Sequence, residues 1–220
     1  MYPEYNTLRR TPGLVTWLLW VVLTSIGGSL GTTMSLLNPN STSFLNQIFI
    51  WFFLFWPLFF VALGQWLLLR RFVAQSGWWL LTSVLGFFFV IPYLFYGFSA
   101  ESTDGKSLIF GTSEFWGATL FLVLLSLICG SIVGLVQSGL VIWCFGKRPR
   151  RRLWWVSANA LAWAIGFPLG QQVLGSLFWL KSTPSSLIAA WVMQGATWGI
   201  IGIITGAVLV WLGRTTMPER

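Results

Sequence analysis

The chain has 220 residues, of which 56% are hydrophobic and 8% are charged, and its mean hydropathy is +0.77. This composition excludes an ordinary water-soluble domain and predicts an integral membrane protein. Thirteen Lys and Arg against five Asp and Glu give a formal net charge of +8. The chain contains no histidine, which disfavours His-based catalysis, haem ligation and His-containing metal sites.

Six apolar runs are long enough to cross a bilayer as helices, because one crossing takes about 20 apolar residues. In chain order the predicted spans cover residues 13–37, 46–69, 78–98, 115–146, 153–180 and 185–212. The longest segment between spans, around residues 99–114, is too short to fold as a separate domain. The sequence therefore predicts an all-α integral membrane protein, a six-helix transmembrane bundle in which residues 1–220 form one domain.

Basic residues are distributed unequally between the two sides that these spans define. One side holds Arg9, Arg10, Arg70, Arg71, Lys147, Arg148, Arg150, Arg151, Arg152, Arg214 and Arg220. The other side holds Lys106 and Lys181. Because short cytoplasmic loops carry the Lys/Arg excess, both termini are expected in the cytoplasm.

The basic residues flanking spans two, four and five are also candidate contacts for anionic lipid of the inner leaflet or for an acidic partner. They are Arg70, Arg71, Lys147, Arg148, Arg150, Arg151 and Arg152. The simpler interpretation is that these charges serve only to orient the chain. Nucleic acid is not an expected partner, because no soluble module is present to form a binding groove.

A positional pattern suggests that the six spans are three copies of one helical hairpin. Each odd-numbered span has a Trp followed seven residues later by a small residue: Trp20 and Gly27, Trp79 and Gly86, Trp155 and Ala162. The even-numbered spans align Gln65, Gln137 and Gly206 before aliphatic residues. Chance alignment of low-complexity apolar sequence is the competing explanation.

Small residues at four-residue spacing recur in the later spans and allow helix backbones to approach closely. Span six, for example, carries Gly195, Gly199, Gly202 and Gly206. We interpret these faces as packing seams within one chain. A homo-oligomer contact through span six is the alternative.

Amide side chains within the predicted spans need hydrogen-bond partners, and the candidate contact residues among them are Gln65, Gln137, Asn159 and Gln194. Contacts between helices would satisfy them and fix the helix register. Alternatively, Gln65, Gln137 and Asn159 converge on a central cavity that binds a polar head group or lines a transport path. No catalytic or metal-binding residues are predicted.

Sixteen Trp and nineteen Phe form the remaining unusual feature. Eight Trp fall near the predicted cytoplasmic boundary, as in an aromatic belt: Trp17, Trp66, Trp78, Trp79, Trp143, Trp154, Trp155 and Trp211. Span two is aromatic around its whole circumference, so part of it must face lipid, a flat apolar ligand such as a pigment or quinone, or another membrane subunit.

The leading functional hypothesis is a non-enzymatic accessory or scaffold subunit of a larger membrane complex, or a binder of an apolar ligand. A small transporter or channel with an amide-lined path is the second hypothesis. An enzyme acting on a phosphorylated lipid is the third, although the sequence offers no evident nucleophile or base for it. No cofactor is expected beyond bound lipid or another apolar ligand.

Overall fold

The structure, a computed structural model, describes residues 12–36, 44–72, 76–86, 113–145, 149–170 and 186–215. These residues form six helices, and no strand occurs among them. The helices are α1 (Leu14–Leu36), α2 (Phe44–Leu69), α3 (residues 77–86), α4 (Ser113–Phe145), α5 (Pro149–Phe167) and α6 (Ser186–Arg214). The predicted all-α class is confirmed for this part of the chain.

Local sequence signals explain several helix ends. The hydroxyl of Thr16 accepts a hydrogen bond from the Gly13 backbone N–H at 3.3 Å, which satisfies a donor at the start of α1. Pro149 opens α5, where its missing N–H costs no helical hydrogen bond. At the end of α6, the Thr215 hydroxyl donates to the Leu212 carbonyl at 3.0 Å, and Arg214 lies in the last turn, where a positive charge is favourable.

The helices pack in chain order around a closed ring. Helix α1 contacts both α2 and α6, α4 contacts α5, and α5 contacts α6. Helix α3 lies between α2 and α4, because Trp79 bonds to Gln65 on one side and Ser83 bonds to Gln137 on the other. Each described helix therefore has its sequence neighbours beside it, and α6 closes the ring against α1.

Glycines at the helix contacts make the ring tight. A Cβ added at Gly27 of α1 would lie 2.7 Å from the Val61 backbone nitrogen of α2. At Gly130 of α4 it would lie 2.5 Å from the Asn159 carbonyl oxygen of α5. These helices approach so closely that only a hydrogen fits, as expected for small-residue packing seams.

The small-residue face of α6 is used within the chain. Gly195 and Gly199 face the hydroxyls of Ser29 and Ser25, at 2.9 and 2.7 Å from their ideal Cβ positions. Further along α6, Gly206 lies against the Trp20 ring. This seam is therefore occupied by α1, as the intramolecular interpretation predicts.

The outside of the ring is apolar. Large hydrophobic side chains are exposed on all six helices, among them Leu14 at 64%, Trp78 at 57% and Leu120 at 60%. Every charged residue whose side chain the structure describes is an arginine at a helix end. Among the described residues, Thr119–Gly139 and Trp191–Arg214 are long and apolar enough to cross a membrane, and Leu14–Leu30 and Pro57–Leu69 are apolar but shorter.

Candidate functional site

Three buried tryptophans surround the centre of the ring, one from each odd-numbered helix. Trp20, Trp79 and Trp155 are at most 3% exposed. The rings of Trp20 and Trp79 meet edge to face with centroids 5.7 Å apart, and those of Trp79 and Trp155 do so at 5.5 Å. Such pairs add about 0.5–1.5 kcal/mol beyond the area that they bury.

Two glutamines link these tryptophans to their neighbours. The Gln65 amide nitrogen donates to the Thr24 hydroxyl of α1 at 3.2 Å, and its carbonyl oxygen accepts from the Trp79 indole N–H of α3 at 3.2 Å. Gln137 repeats this arrangement in the next part of the ring. Gln137 donates to the Ser83 hydroxyl of α3 at 2.9 Å and accepts from the Trp155 indole N–H of α5 at 3.2 Å. Each glutamine therefore joins three helices.

The ring closes through a smaller side chain. The Trp20 indole N–H donates to the Thr205 hydroxyl of α6 at 3.1 Å, and that hydroxyl donates to the Ile201 carbonyl of its own helix at 2.7 Å. Thr205 is thus the counterpart of Gln65 and Gln137 as the acceptor of a tryptophan. The three-hairpin pattern predicted from the sequence pairs Gly206 with Gln65 and Gln137, and Gly206 is the residue directly after Thr205.

Asn159 differs from Thr24 and Ser83, although all three lie four residues after a ring tryptophan. Its amide nitrogen donates to the Trp155 carbonyl of the same helix at 3.0 Å instead of reaching another helix. In the layer of the ring tryptophans, the third part of the ring therefore lacks the amide-to-hydroxyl bond between helices that the first two parts have. The physical reason is that Thr205 has no amide to extend toward Asn159, and its hydroxyl donates to the Ile201 carbonyl of its own helix.

A small cavity of about 10 Å³ lies at the centre, which is room for roughly one water molecule. It is bordered by Trp20, Val61, Gln65, Val133, Gln137, Trp155, Asn159, Trp163, Trp198, Ile201 and Thr205. Among the described residues, no buried side-chain nitrogen or oxygen lacks a hydrogen-bond partner. The buried polar side chains around this cavity therefore find their hydrogen-bond partners within the protein.

The structure brings three of the four predicted amide residues together. Gln65, Gln137 and Asn159 are buried and border the central cavity. Gln194 lies half-buried on α6, three helical turns before Thr205, and does not border that cavity. The geometry thus separates Gln194 from the other three.

The predicted basic contacts lie at helix ends. Arg70 and Arg71 are exposed in the turn after α2, where the Arg70 guanidinium carbon lies 5.8 Å from the Trp66 ring centroid. In the first turn of α5, Arg150 and Arg152 are exposed, whereas Arg151 donates to the Thr215 carbonyl at 3.0 Å. Lys147 and Arg148 lie outside the described residues.

Several residues at the site were not predicted from the sequence. Trp79 and Trp155 were assigned to the interfacial belt but are buried in the ring. The hydroxyls of Thr24, Ser83 and Thr205 are not among the site residues predicted from the sequence. Thr24, Ser83 and Asn159 each follow a ring tryptophan after four positions. That spacing puts both residues on one helix face, and it was the available signal.

Among the described residues, no cluster of three or more His, Cys, Asp or Glu side chains occurs. Cys129 is buried on α4 with a free thiol.

Comparison of the chain with protein-family models, with curated proteins and with solved structures finds no match.

Proposed function

We propose that this chain is a non-enzymatic multi-pass membrane protein, an accessory or scaffold subunit of a larger membrane complex or a binder of an apolar ligand. The observation that carries the proposal is the inverted distribution of polarity. Large apolar side chains cover the outside of the ring, while amides, hydroxyls and indoles bond to one another at its closed centre. We therefore expect the contacts with a partner subunit or an apolar ligand to lie on the outer surface of the ring.

Helix length supports crossings by α1, α2, α4 and α6, whereas the described parts of α3 and α5 are shorter. At 1.5 Å per residue, the 23 residues of α1 extend about 34 Å and the 33 residues of α4 about 50 Å. Both exceed the roughly 30 Å of a hydrocarbon core. Large apolar side chains are exposed on all six helices, which suits contact with lipid better than contact with water.

The arginines support a topology with both termini in the cytoplasm. Arg70 and Arg71 follow α2, Arg150 and Arg152 lie at the start of α5, and Arg214 ends α6. In six alternating crossings these helix ends all fall on one side. Because the Lys/Arg excess marks the cytoplasmic side, the proposed orientation follows.

Cysteine labelling tests this topology. In a background with Cys129→Ala and Cys144→Ala, a membrane-impermeant maleimide added to intact cells should label Ser102→Cys but not Arg150→Cys. Permeabilised cells should label both positions, which controls for reactivity. Labelling of Arg150→Cys from outside would reject the proposed orientation.

The small size of the central cavity supports the accessory role over transport. This cavity of about 10 Å³ has room for about one water molecule, so a larger solute does not fit in it as it stands. An apolar ligand or a partner subunit would bind instead to the exposed outer faces. Extraction in a mild detergent, followed by mass spectrometry of what copurifies, should recover a stoichiometric membrane protein or apolar molecule. A monodisperse monomer carrying neither would contradict this role.

A small transporter with an amide-lined path is the second candidate function. It is favoured by the fact that Gln65, Gln137 and Asn159 all border one central cavity. In this case the ring would be a closed gate. Solute flux into proteoliposomes that is abolished by Gln137→Leu would support this function, and leak no greater than that of protein-free vesicles would argue against it.

We also propose that the bundle consists of three copies of one hairpin, formed by α1–α2, α3–α4 and α5–α6. Equivalent contacts support this division. Trp79 donates to Gln65, Trp155 to Gln137 and Trp20 to Thr205, so that each hairpin accepts from the next one around the ring. One turn before each acceptor, Val61, Val133 and Ile201 border the same cavity.

A further inference from the structure

The first turn of α5 and the last turn of α6 meet at one edge of the bundle. The Arg151 guanidinium donates to the Thr215 carbonyl at 3.0 Å, which joins the two helix ends directly. One turn further in, the rings of Trp154 and Trp211 meet edge to face with centroids 5.5 Å apart. This α5–α6 edge thus combines a group of arginines with an aromatic pair.

Positive charge at the α5–α6 edge is not neutralised by any described acidic residue. Arg150, Arg152 and Arg214 are exposed, and the first turn of α5 contains no acid. Arginines brought together in this way repel one another, and an anion shared between them relieves the repulsion. A planar guanidinium also matches a phosphate in a two-point hydrogen-bonded geometry, which a lysine ammonium cannot provide.

The aromatic pair is exposed beside these charges. Trp154 is 54% exposed and Trp211 is 45% exposed, and Leu153 next to them is 65% exposed. Indole rings prefer the boundary between head groups and acyl chains, where one part of the ring is in an apolar medium and its N–H is near polar groups. A ligand that suits the whole edge therefore has an anionic end and an apolar end.

We propose that the α5–α6 edge binds one acidic phospholipid of the inner leaflet. Its phosphate pairs with the guanidinium groups of Arg150, one turn before Trp154 on the same face of α5, and Arg214, and its acyl chains pack on Trp154 and Trp211. This inference rests on the membrane location given in the proposed function. It goes further by assigning a lipid class to one position in the bundle.

The turn after α2 provides a matched control. It also carries two exposed arginines, Arg70 and Arg71, but the guanidinium of Arg70 lies over the Trp66 ring, and a single indole is present instead of a pair. Replacing either pair of arginines with glutamine lowers the net charge by the same amount. A difference between the two double variants therefore reports the site and not the overall charge.

The experiment titrates delipidated full-length protein in a non-ionic detergent with phosphatidylglycerol or phosphatidylcholine and counts bound lipid by native mass spectrometry. We expect one phosphatidylglycerol to bind at least tenfold more tightly than phosphatidylcholine. Arg150→Gln with Arg214→Gln should abolish that preference, whereas Arg70→Gln with Arg71→Gln should change it by less than about twofold. Trp154→Ala with Trp211→Ala should weaken binding of both lipids.

Equal losses in the two arginine double variants would overturn the proposal, as would equal binding of the two lipids by the unsubstituted chain. Inorganic phosphate serves as a competitor: displacement of the lipid at equimolar phosphate would assign the site to a free anion and reject a lipid site. Circular dichroism of each variant checks that the helices are retained. If maleimide labelling supports the proposed topology while lipid preference is absent, the lipid site fails and the membrane proposal stands.

Discussion

At the scale of single residues, the amides of Gln65 and Gln137 organise the centre of the bundle. Each one donates to a hydroxyl of one neighbouring helix and accepts from an indole of another. The hydrogen bonds matter mainly because of what their loss would leave behind. A buried indole N–H without an acceptor carries a desolvation cost that water cannot relieve in a closed site.

Gln65→Leu tests this role, since leucine has a similar volume but offers no donor or acceptor. The substitution leaves the indole of Trp79 and the hydroxyl of Thr24 without their partner, and we expect a loss of about 1–3 kcal/mol in the free energy of unfolding. Gln194→Leu is the control, because Gln194 is half-buried away from the cavity and should change stability by less than about 0.5 kcal/mol. Equal losses from both variants, measured by reversible unfolding in mixed detergent, would contradict the assignment.

At the scale of helices, stability depends on how closely the backbones approach. Gly130 and Gly134 of α4 lie against the backbone of Asn159 and Val156 in α5. In contrast, Gly117 and Gly139 of the same helix have open space where a Cβ would be. One helix thus contains glycines required for packing and glycines that are not.

Gly130→Ala should therefore force α4 and α5 apart, because the added Cβ would lie 2.5 Å from the Asn159 carbonyl oxygen. We expect a loss of about 1–3 kcal/mol, the usual cost of overpacking. Gly139→Ala has the same chemical change and the same helix, but nothing lies within 4 Å of the added atom, so it should be neutral or slightly stabilising. Thermal unfolding followed by near-ultraviolet circular dichroism distinguishes the two, and a similar midpoint for both variants would count against this packing.

At the scale of the whole molecule, the closed ring depends on the contact between the first and the last helix. A Cβ added at Gly199 of α6 would lie 2.7 Å from the Ser25 hydroxyl oxygen of α1. These positions are separated by most of the chain but are close enough for a disulfide. The contact gives a direct test of ring closure.

In a chain with Cys129→Ala and Cys144→Ala, the pair Ser25→Cys and Gly199→Cys should oxidise to an intramolecular disulfide, detected as a mass loss of about two hydrogens with reducible band migration. Ser25→Cys paired with Gly117→Cys should remain reduced, since Gly117 has no neighbour within 4 Å. A cross-linked dimer without the intramolecular product would contradict the closed ring and favour contact between chains.

The proposed three-hairpin repeat makes a prediction about register. Thr205→Gln should be tolerated within a few degrees of the original melting temperature, because glutamine occupies the corresponding acceptor position on α2 and α4 and the new amide can extend toward Asn159. Gly206→Gln should lower the melting temperature sharply, since a Cβ there would lie 2.8 Å from the Trp20 ring. If Gly206→Gln were tolerated and Thr205→Gln lowered the melting temperature sharply, Gly206 and not Thr205 would be the position equivalent to Gln65 and Gln137.

The sequence by itself determined the helical class and, within the described residues, the approximate bounds of the helices; the predicted span ends at residues 98 and 180 lie outside the described residues. These properties depend on local composition and on the length of apolar runs, so they can be read without knowing which helices touch. The same local signals identified Gln65, Gln137 and Asn159 as polar residues that need partners.

Only the tertiary structure decided which residues meet. It placed Trp79 and Trp155 in the centre and not at the surface, assigned the third acceptor to Thr205 in place of Gly206, and separated Gln194 from the cavity. The physical reason is that the rotation of each helix is set by contacts between glycines and side chains far apart in the chain. A shift of one residue turns a helix by about 100°, which no local pattern in an apolar sequence specifies.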